Sequence, residues 1–247
     1  MDDRTEQAVR RVIDAMRQNL GERITIDDMA RIAMFSKFHF CRVFRESTGM
    51  SPVRFFYALR LAEAKQLLVG TSLSIADIGT RVGYASTGTF SSRFKSTVGV
   101  PPSVYRATGG DAVRAADALR RRARTGHTTI RGAVSCRDAW HGGPVFVGLF
   151  REAVPTGLPA RCSILPAPGA FALTHVMPGR WHVLAYSPAP GPDAAAEDAL
   201  VGAAGPLMIR HGTAVRTAEV RLRPLSPYDP PVLLALTAPD AARELTS

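Results

Sequence analysis

Phe38 and Arg42 stand four residues apart in the stretch FSKFHFCRVF, residues 35–44. At 100° per residue along a helix they share a face with Arg45. Phe40, Val43 and Phe44 make an apolar stripe at spacing i, i+3, i+4 on the other side. The stripe is what a protein core takes up. An aromatic ring and two guanidinium groups facing away from it have no use in that core, so the chemistry they offer is contact with something outside the protein.

The constellations that break and make bonds are missing. His141, His175, His182 and His211 lack metal-ligand spacing, and Cys136 with His141 matches no known site. There is no glycine-rich phosphate loop and no nucleophile-elbow serine. His175 and His182 read as half-buried residues facing each other across a hairpin rather than as a ligand pair, and Phe171, Trp181 and Tyr186 as core aromatics rather than as the lining of a ligand cavity. The expectation is a chain with no enzymatic activity, no cofactor and no metal.

The net charge of +10 is unevenly spread. Residues 1–108 carry 16 Lys+Arg against 10 Asp+Glu, residues 109–129 carry 5 against 2, and residues 130–247 carry 10 against 9. A polyanion partner therefore belongs with the first half and the segment after it. GC-rich coding also raises arginine content, but it does not explain the asymmetry. No apolar run approaches the roughly 20 residues that span a bilayer, the opening MDDRTEQAVRR is not a signal peptide, and three scattered cysteines (Cys41, Cys136, Cys162) suit reduced thiols. These features predict a cytoplasmic protein with no membrane contact.

The elements that must position the basic face follow from proline and from an internal repeat. Only Pro52, Pro101 and Pro102 of 18 prolines fall in the first 129 residues, which leaves that half free to be helical. FCRVFRESTGMSP (40–52) aligns with FSSRFKSTVGVPP (90–102), and IDDMARIAMF (26–35) with IADIGTRVGY (75–84). Each copy reads as a short helix, a tight turn and a longer helix. Thr25 with Asp28, Ser36, Ser74 and Ser86 are the expected N-caps, and Ala30 and Gly79 sit where the two helices of a copy cross closely. The joining segment SPVRFFYALRLAEAKQLL carries two apolar stripes (Phe55, Phe56, Leu59, Ala62; Tyr57, Leu61, Ala64, Leu68), with Arg60 and Lys65 in the gaps. Such a helix packs against two bodies and fixes their spacing. Residues 5–20 supply one more amphipathic helix with Val9, Val12, Ile13 and Met16 inward, ended by Gly21. The duplicated pattern is that of helix-turn-helix units, whose second helices enter a DNA major groove.

RLAEAKQLL, SIADIGTRVGY, FSSRFKSTVGVPPSVYR and FSKFHFCRVFRESTGMSP together resemble the DNA-binding domain of the AraC/XylS family of bacterial transcription regulators, over residues 5–106. The resemblance implies a seven-helix body with two recognition helices on one side of double-stranded DNA. It puts the base-reading positions at Phe38, Cys41 and Arg42 in the first helix, Phe38 against a thymine methyl and Arg42 at guanine or phosphate. In the second helix they fall on Thr87, Gly88, Thr89 and Ser92, a weaker set, because serine stands where the first copy has Arg42. Ser36, Lys37, Arg45, Ser86, Arg93 and Lys95 are the phosphate-contacting candidates.

The boundaries read as a DNA-binding domain over 1–108, a basic linker over 109–129 and a β domain over 130–247. The linker suggests a short helix near Ala112–Arg122, and Arg120, Arg121, Arg122 and Arg124 offer either a phosphate contact or a solvated basic face. Beyond it, VFVGLF (145–150), AFALTHV (170–176), WHVLAYS (181–187), AEVRLRPL (218–225) and VLLAL (232–236) are separated by turn signals, while AAAEDALVGAAG (194–205) reads as a short helix or loop. The pattern predicts a small antiparallel β-sandwich, and PGAFALTHVMPGRWHVLAYS resembles the strand–turn–strand of transthyretin-like, carboxypeptidase regulatory-like sandwiches. The expected fold is thus all-α, then β. The expected function is a sequence-specific transcription regulator, an activator by family habit, whose β domain senses a small-molecule effector or mediates dimerisation. The alternative is a DNA-bound adaptor whose β domain recruits a protein. RNA polymerase is the further partner in view, and both monomer and homodimer stay open.

Overall fold

The computed structural model describes residues 3–110, 126–137, 140, 142–189 and 198–233. The chain divides into two compact units, Met1–Gly110 with Ser226–Leu233, and Asp111–Leu225 with Leu234–Ser247. The linker helix expected near Ala112–Arg122 and the arginines at 120–124 lie outside the described residues.

The first unit holds seven helices: α1 (Asp3–Gln18), α2 (Ile26–Ala33), α3 (Lys37–Thr48), α4 (Pro52–Gly70), α5 (Ile75–Arg81), α6 (Thr87–Val98) and α7 (Pro102–Ala107). Their starts follow the sequence signals. Thr25 and Asp28 form a reciprocal capping box, and the Ser36, Ser74 and Ser86 hydroxyls accept the N–H three residues on. Pro52 opens α4, where its missing N–H costs nothing. The two copies turn alike. Met34 and Gly83 both adopt positive φ, and the next N–H, of Phe35 or Tyr84, bonds back to the carbonyl of Ala30 or Gly79. At Gly79 a Cβ would sit 3.2 Å from the Phe90 ring, so a larger residue at this crossing of α5 and α6 would require the ring to give by a few tenths of an ångström.

Val9, Val12, Ile13 and Met16 are buried as α1 requires, and Phe40, Phe44, Phe55, Phe90, Phe94 and Tyr105 form the aromatic centre. Edge-on contacts run from Phe40 to Phe44 to Phe55, and from Phe90 to Phe94 to Tyr105, with centroids 5.4–5.7 Å apart. α4 touches α1, α2, α3, α5 and α7, so it is the strut its two stripes predict.

The second unit is a seven-stranded sheet: β1 (Thr128–Cys136), β2 (Val145–Phe150), β3 (Arg161–Leu165), β4 (Ala170–Val176), β5 (Gly179–Ser187), β6 (Leu200–Ile209) and β7 (Val215–Pro224), in the order β3-β2-β5-β6-β7-β1-β4. It is not the antiparallel sandwich expected. β1 runs parallel to β7 from Thr129↔Val215 to Cys136↔Leu222, so the sheet is mixed. A Cβ at Gly132 would collide with the Ala218 carbonyl, which is how β7 comes so close. β6 and β7 share only the pairs Leu200↔Pro224 and Val201↔Arg223, a short seam between the two parts of the sheet.

At the other end β3 and β4 meet through a side chain. The Arg161 guanidinium donates to the carbonyls of Thr174 at 3.0 Å and His175 at 2.8 Å, and the sheet is nearly a barrel. One core, with Ile130, Val147, Phe171, Leu173, Trp181 and Val220 in it, fills the inside.

Four further expectations are corrected. AFALTHV and WHVLAYS are strands but not a hairpin: β4 pairs with β1 and β5 with β2 and β6, so Met177–Pro178 crosses between the two parts, and the transthyretin-like hairpin is absent. From Leu200 on, the stretch read as helix or loop is the start of strand β6, because β5 supplies a ladder along it, and residues 194–197 lie outside the described residues. β1 and β3 are strands that sequence reading passed over, β1 starting at Thr128, inside the segment read as linker. Val232 and Leu233 are not in a strand, and the rest of VLLAL lies outside the described residues.

Candidate nucleic-acid interface

α3 is held by its buried stripe, Phe40, Val43 and Phe44, with the Ser36 hydroxyl accepting the His39 N–H at 3.4 Å. The opposite face is open. Phe38 is 91% exposed, so no neighbouring loop covers its ring. Arg42 and Arg45 are exposed beside it, and Cys41 is half-buried at the edge of the face. Arg42 is steadied along its own helix: one guanidinium nitrogen donates to Glu46 Oε1 at 3.3 Å and another lies 3.3 Å from His39 Nδ1. An exposed pair of this kind is worth well under about 1 kcal/mol, so it orients Arg42 without tying it down. Lys37 is engaged more closely, its ammonium 3.0 Å from an Asp27 carboxylate oxygen of α2.

α6 repeats the arrangement with smaller side chains. Phe90, Phe94 and Val98 are buried, and Thr87, Gly88, Thr89, Ser92, Arg93 and Lys95 are exposed. Ser86 accepts the Thr89 N–H at 3.2 Å and its hydroxyl bonds the Thr89 hydroxyl at 3.0 Å, so the cap is internally satisfied. A Cβ at Gly88 would touch nothing, and the surface there is flat and open. Arg93 leans back over the Tyr57 ring of α4, 5.6 Å from its centroid. The structure thus gathers the α3 candidates on one exposed face and the α6 candidates on another, both within the helical unit and both tied to α4.

Three contributors escaped the sequence. Glu46 and His39 flank Arg42, and the i+4 spacing of Arg42 and Glu46 was the available signal. Arg60 is the third. Placed in a gap between apolar stripes by helical projection, it is only 7% exposed, donates to the Gly83 carbonyl at 3.2 Å and the Glu22 carbonyl at 2.5 Å, and stacks 4.4 Å from the Phe56 centroid. It joins the turn of the second helix-turn-helix copy to the loop that precedes α2.

The histidines and aromatics singled out in the sheet unit do not come together into a site among the described residues. His175 bonds the Gly126 carbonyl at 3.3 Å, and His182, its basicity lowered first by burial and then by Arg180, is buried in β5, a strand that does not pair with β4. Phe171 and Trp181 pack in the core, as expected of them, and Tyr186 is half-buried. Among the described residues no three His, Cys, Asp or Glu side chains cluster to hold a metal, and no helix is long and apolar enough to cross a membrane. His141 lies outside the described residues.

A sequence family described as "Helix-turn-helix domain" matches residues 29–108. The chain is similar to the uncharacterized HTH-type transcriptional regulator YbfP of Bacillus subtilis, 36% identical over 101 residues, covering 41% of this chain and 34% of that protein. It is similar to the HTH-type transcriptional activator AarP of Providencia stuartii, 36% identical over 88 residues, covering 36% of this chain and 65% of that one. Of each of these curated relatives the chain spans less than two thirds. Among solved structures, a transcriptional regulator from Chromobacterium violaceum with an AraC-type DNA-binding domain matches at 31% identity and a TM-score of 0.41, covering 42% of this chain and 93% of that one. The relatives are named as transcription regulators, not as enzymes.

Proposed function

We propose that the helix-turn-helix domain over residues 29–108 is of the AraC type and that with it the protein binds double-stranded DNA as a sequence-specific transcription regulator, reading bases with α3 and, less selectively, with α6. The observation that carries the reading is Phe38: a ring 91% exposed, on a helix face shared with Arg42 and opposite the buried stripe, has no role inside the protein. Against a major groove it would lie on a thymine methyl while Arg42 reaches guanine O6 and N7, with Cys41 between them. Thr87, Gly88, Thr89 and Ser92 would follow the second groove segment with short side chains. Ser36, Lys37, Arg45, Ser86, Arg93 and Lys95 would meet phosphates and set the register. The sheet unit would serve effector sensing or dimerisation, with RNA polymerase as the recipient of the signal.

The test is selection of duplexes from a random pool by the full chain, followed by affinities for the selected and a scrambled duplex. Arg42→Ala should cost about 1–3 kcal/mol on the selected duplex and little on the scrambled one, and Lys95→Ala should weaken both alike. Equal losses for Arg42→Ala on the two duplexes would remove it from base reading, and failure to enrich any sequence in low salt would overturn the proposal.

A further inference from the structure

The last described stretch of the chain belongs with the helices. Ser226–Leu233 groups with the helical unit. The Tyr228 hydroxyl donates to the Glu6 carbonyl of α1 at 3.3 Å, the Lys65 ammonium of α4 donates to the Val232 carbonyl at 3.1 Å, and Leu233 is 1% exposed.

The stretch is stiff in itself. An Asp229 carboxylate oxygen accepts the Ser226 N–H at 2.7 Å and the Asp229 N–H returns to the Ser226 carbonyl at 2.9 Å, closing a turn. Pro227, Pro230 and Pro231 fix three φ angles in the octapeptide SPYDPPVL. Only Leu225 separates it from the end of β7 at Pro224, and the Leu225 N–H is itself bonded to the Ala199 carbonyl at 3.0 Å. β7 is the strand that joins the two parts of the sheet, and α4 is the strut between the two helix-turn-helix copies.

We propose that Ser226–Leu233 is a strap that couples the β7 seam of the sheet unit to α1 and α4, so that releasing it loosens both the strut and β7. A flexible linker would absorb a displacement of β7. A turn-locked, proline-filled segment one residue away from the strand transmits it to the helix that spaces α3 and α6.

Hydrogen exchange on the full chain tests this. In the wild type, the amides of Tyr228, Asp229, Val232 and Leu233 should be protected relative to unstructured chain. Lys65→Met removes the bond to Val232 but keeps the apolar stem, and should speed strap exchange roughly threefold; Leu233→Asp should speed it roughly tenfold or more. Peptides from α4 and β7 should accelerate in the same order. A strap already as fast as unstructured chain, a strap unchanged in both variants, or a released strap with α4 or β7 at wild-type rates would each overturn the coupling. Lys65→Met keeps the test open should Leu233→Asp not fold. Affinity for a mixed-sequence duplex forms a second arm, which alone rests on the DNA-binding reading. A roughly threefold loss in Leu233→Asp agrees with a strut that spaces the recognition helices, and wild-type affinity with a loosened α4 would deny that link. A wild type that binds no duplex would refute the DNA-binding reading while leaving the exchange result intact.

Discussion

At Arg60 the guanidinium bonds two carbonyls from segments far apart in the sequence, Glu22 before α2 and Gly83 after α5, and its Nε is buried with no partner. Those carbonyls lie near helix ends, where the helix leaves its acceptors unsatisfied, and a charged donor is the strongest available answer. Arg60→Met keeps the apolar stem and removes the donors, and should destabilise the protein by roughly 2–4 kcal/mol, read from urea midpoints. Gly83 is bound into the same arrangement, since any Cβ there would sit 2.5 Å from the guanidinium.

Lys65 behaves differently because it can lose its proton. Burial pushes it down to about 8 from its ordinary 10.5. Between those values the unfolded chain binds the extra proton, so stability rises as pH climbs through the window; the penalty for a charged ammonium is complete below about 8 and relieved above it. Part of the side chain still reaches water, which holds the gain to roughly 1 kcal/mol. The midpoint should increase between about pH 8 and 10 in the wild type and stay flat in Lys65→Met, while Tyr84, pushed up to about 12 by burial, lowers stability only above about 10.

At the scale of elements, what was legible in the sequence depended on whether a segment carries its own instructions. Each helix of the first unit does. Caps at Thr25, Ser36, Ser74 and Ser86, glycines at 49, 83 and 99 in the left-handed region, and a repeated stripe of phenylalanines fix starts, stops and inward faces from local residues alone. The strands of the second unit do not. β6 contains GAAGP, which no propensity marks as strand, and it is extended because β5 pairs with it. The parallel pairing of β1 with β7 joins residues far apart in the chain, and neither strand announces the other. The α3 face was readable by projection, but Arg60 was not, because a helical wheel shows where a side chain points and not which carbonyl waits there.

The closure of the sheet is a tertiary device of the same kind, resting on Arg161 rather than on a ladder. Arg161→Ala should leave β5 and its neighbours protected, speed exchange along β3 and β4, and cost roughly 2–3 kcal/mol. Uniform acceleration across the sheet, or none, would show that this seam is held by other contacts.

For the whole molecule, charge placement and geometry make one combined demand. The net charge of +10 sits mainly in residues 1–129, and among the phosphate candidates the two lysines are not equivalent. Lys37 is 3.0 Å from Asp27, so phosphate binding there must displace a carboxylate that already offsets its charge, whereas Lys95 projects from the exposed face of α6. Each phosphate neutralised by a free cation contributes about −0.9 to the slope of log K against log salt, through counterion release. Lys95→Ala should therefore flatten the slope by about 0.9, and Lys37→Ala by clearly less. Asp27→Asn should raise affinity in low salt by leaving Lys37 unpaired, an effect that fades as salt screens it. Fluorescence anisotropy of a labelled duplex over a salt series measures all three. Slopes that Lys95→Ala leaves unchanged would remove Lys95 from the phosphate contacts.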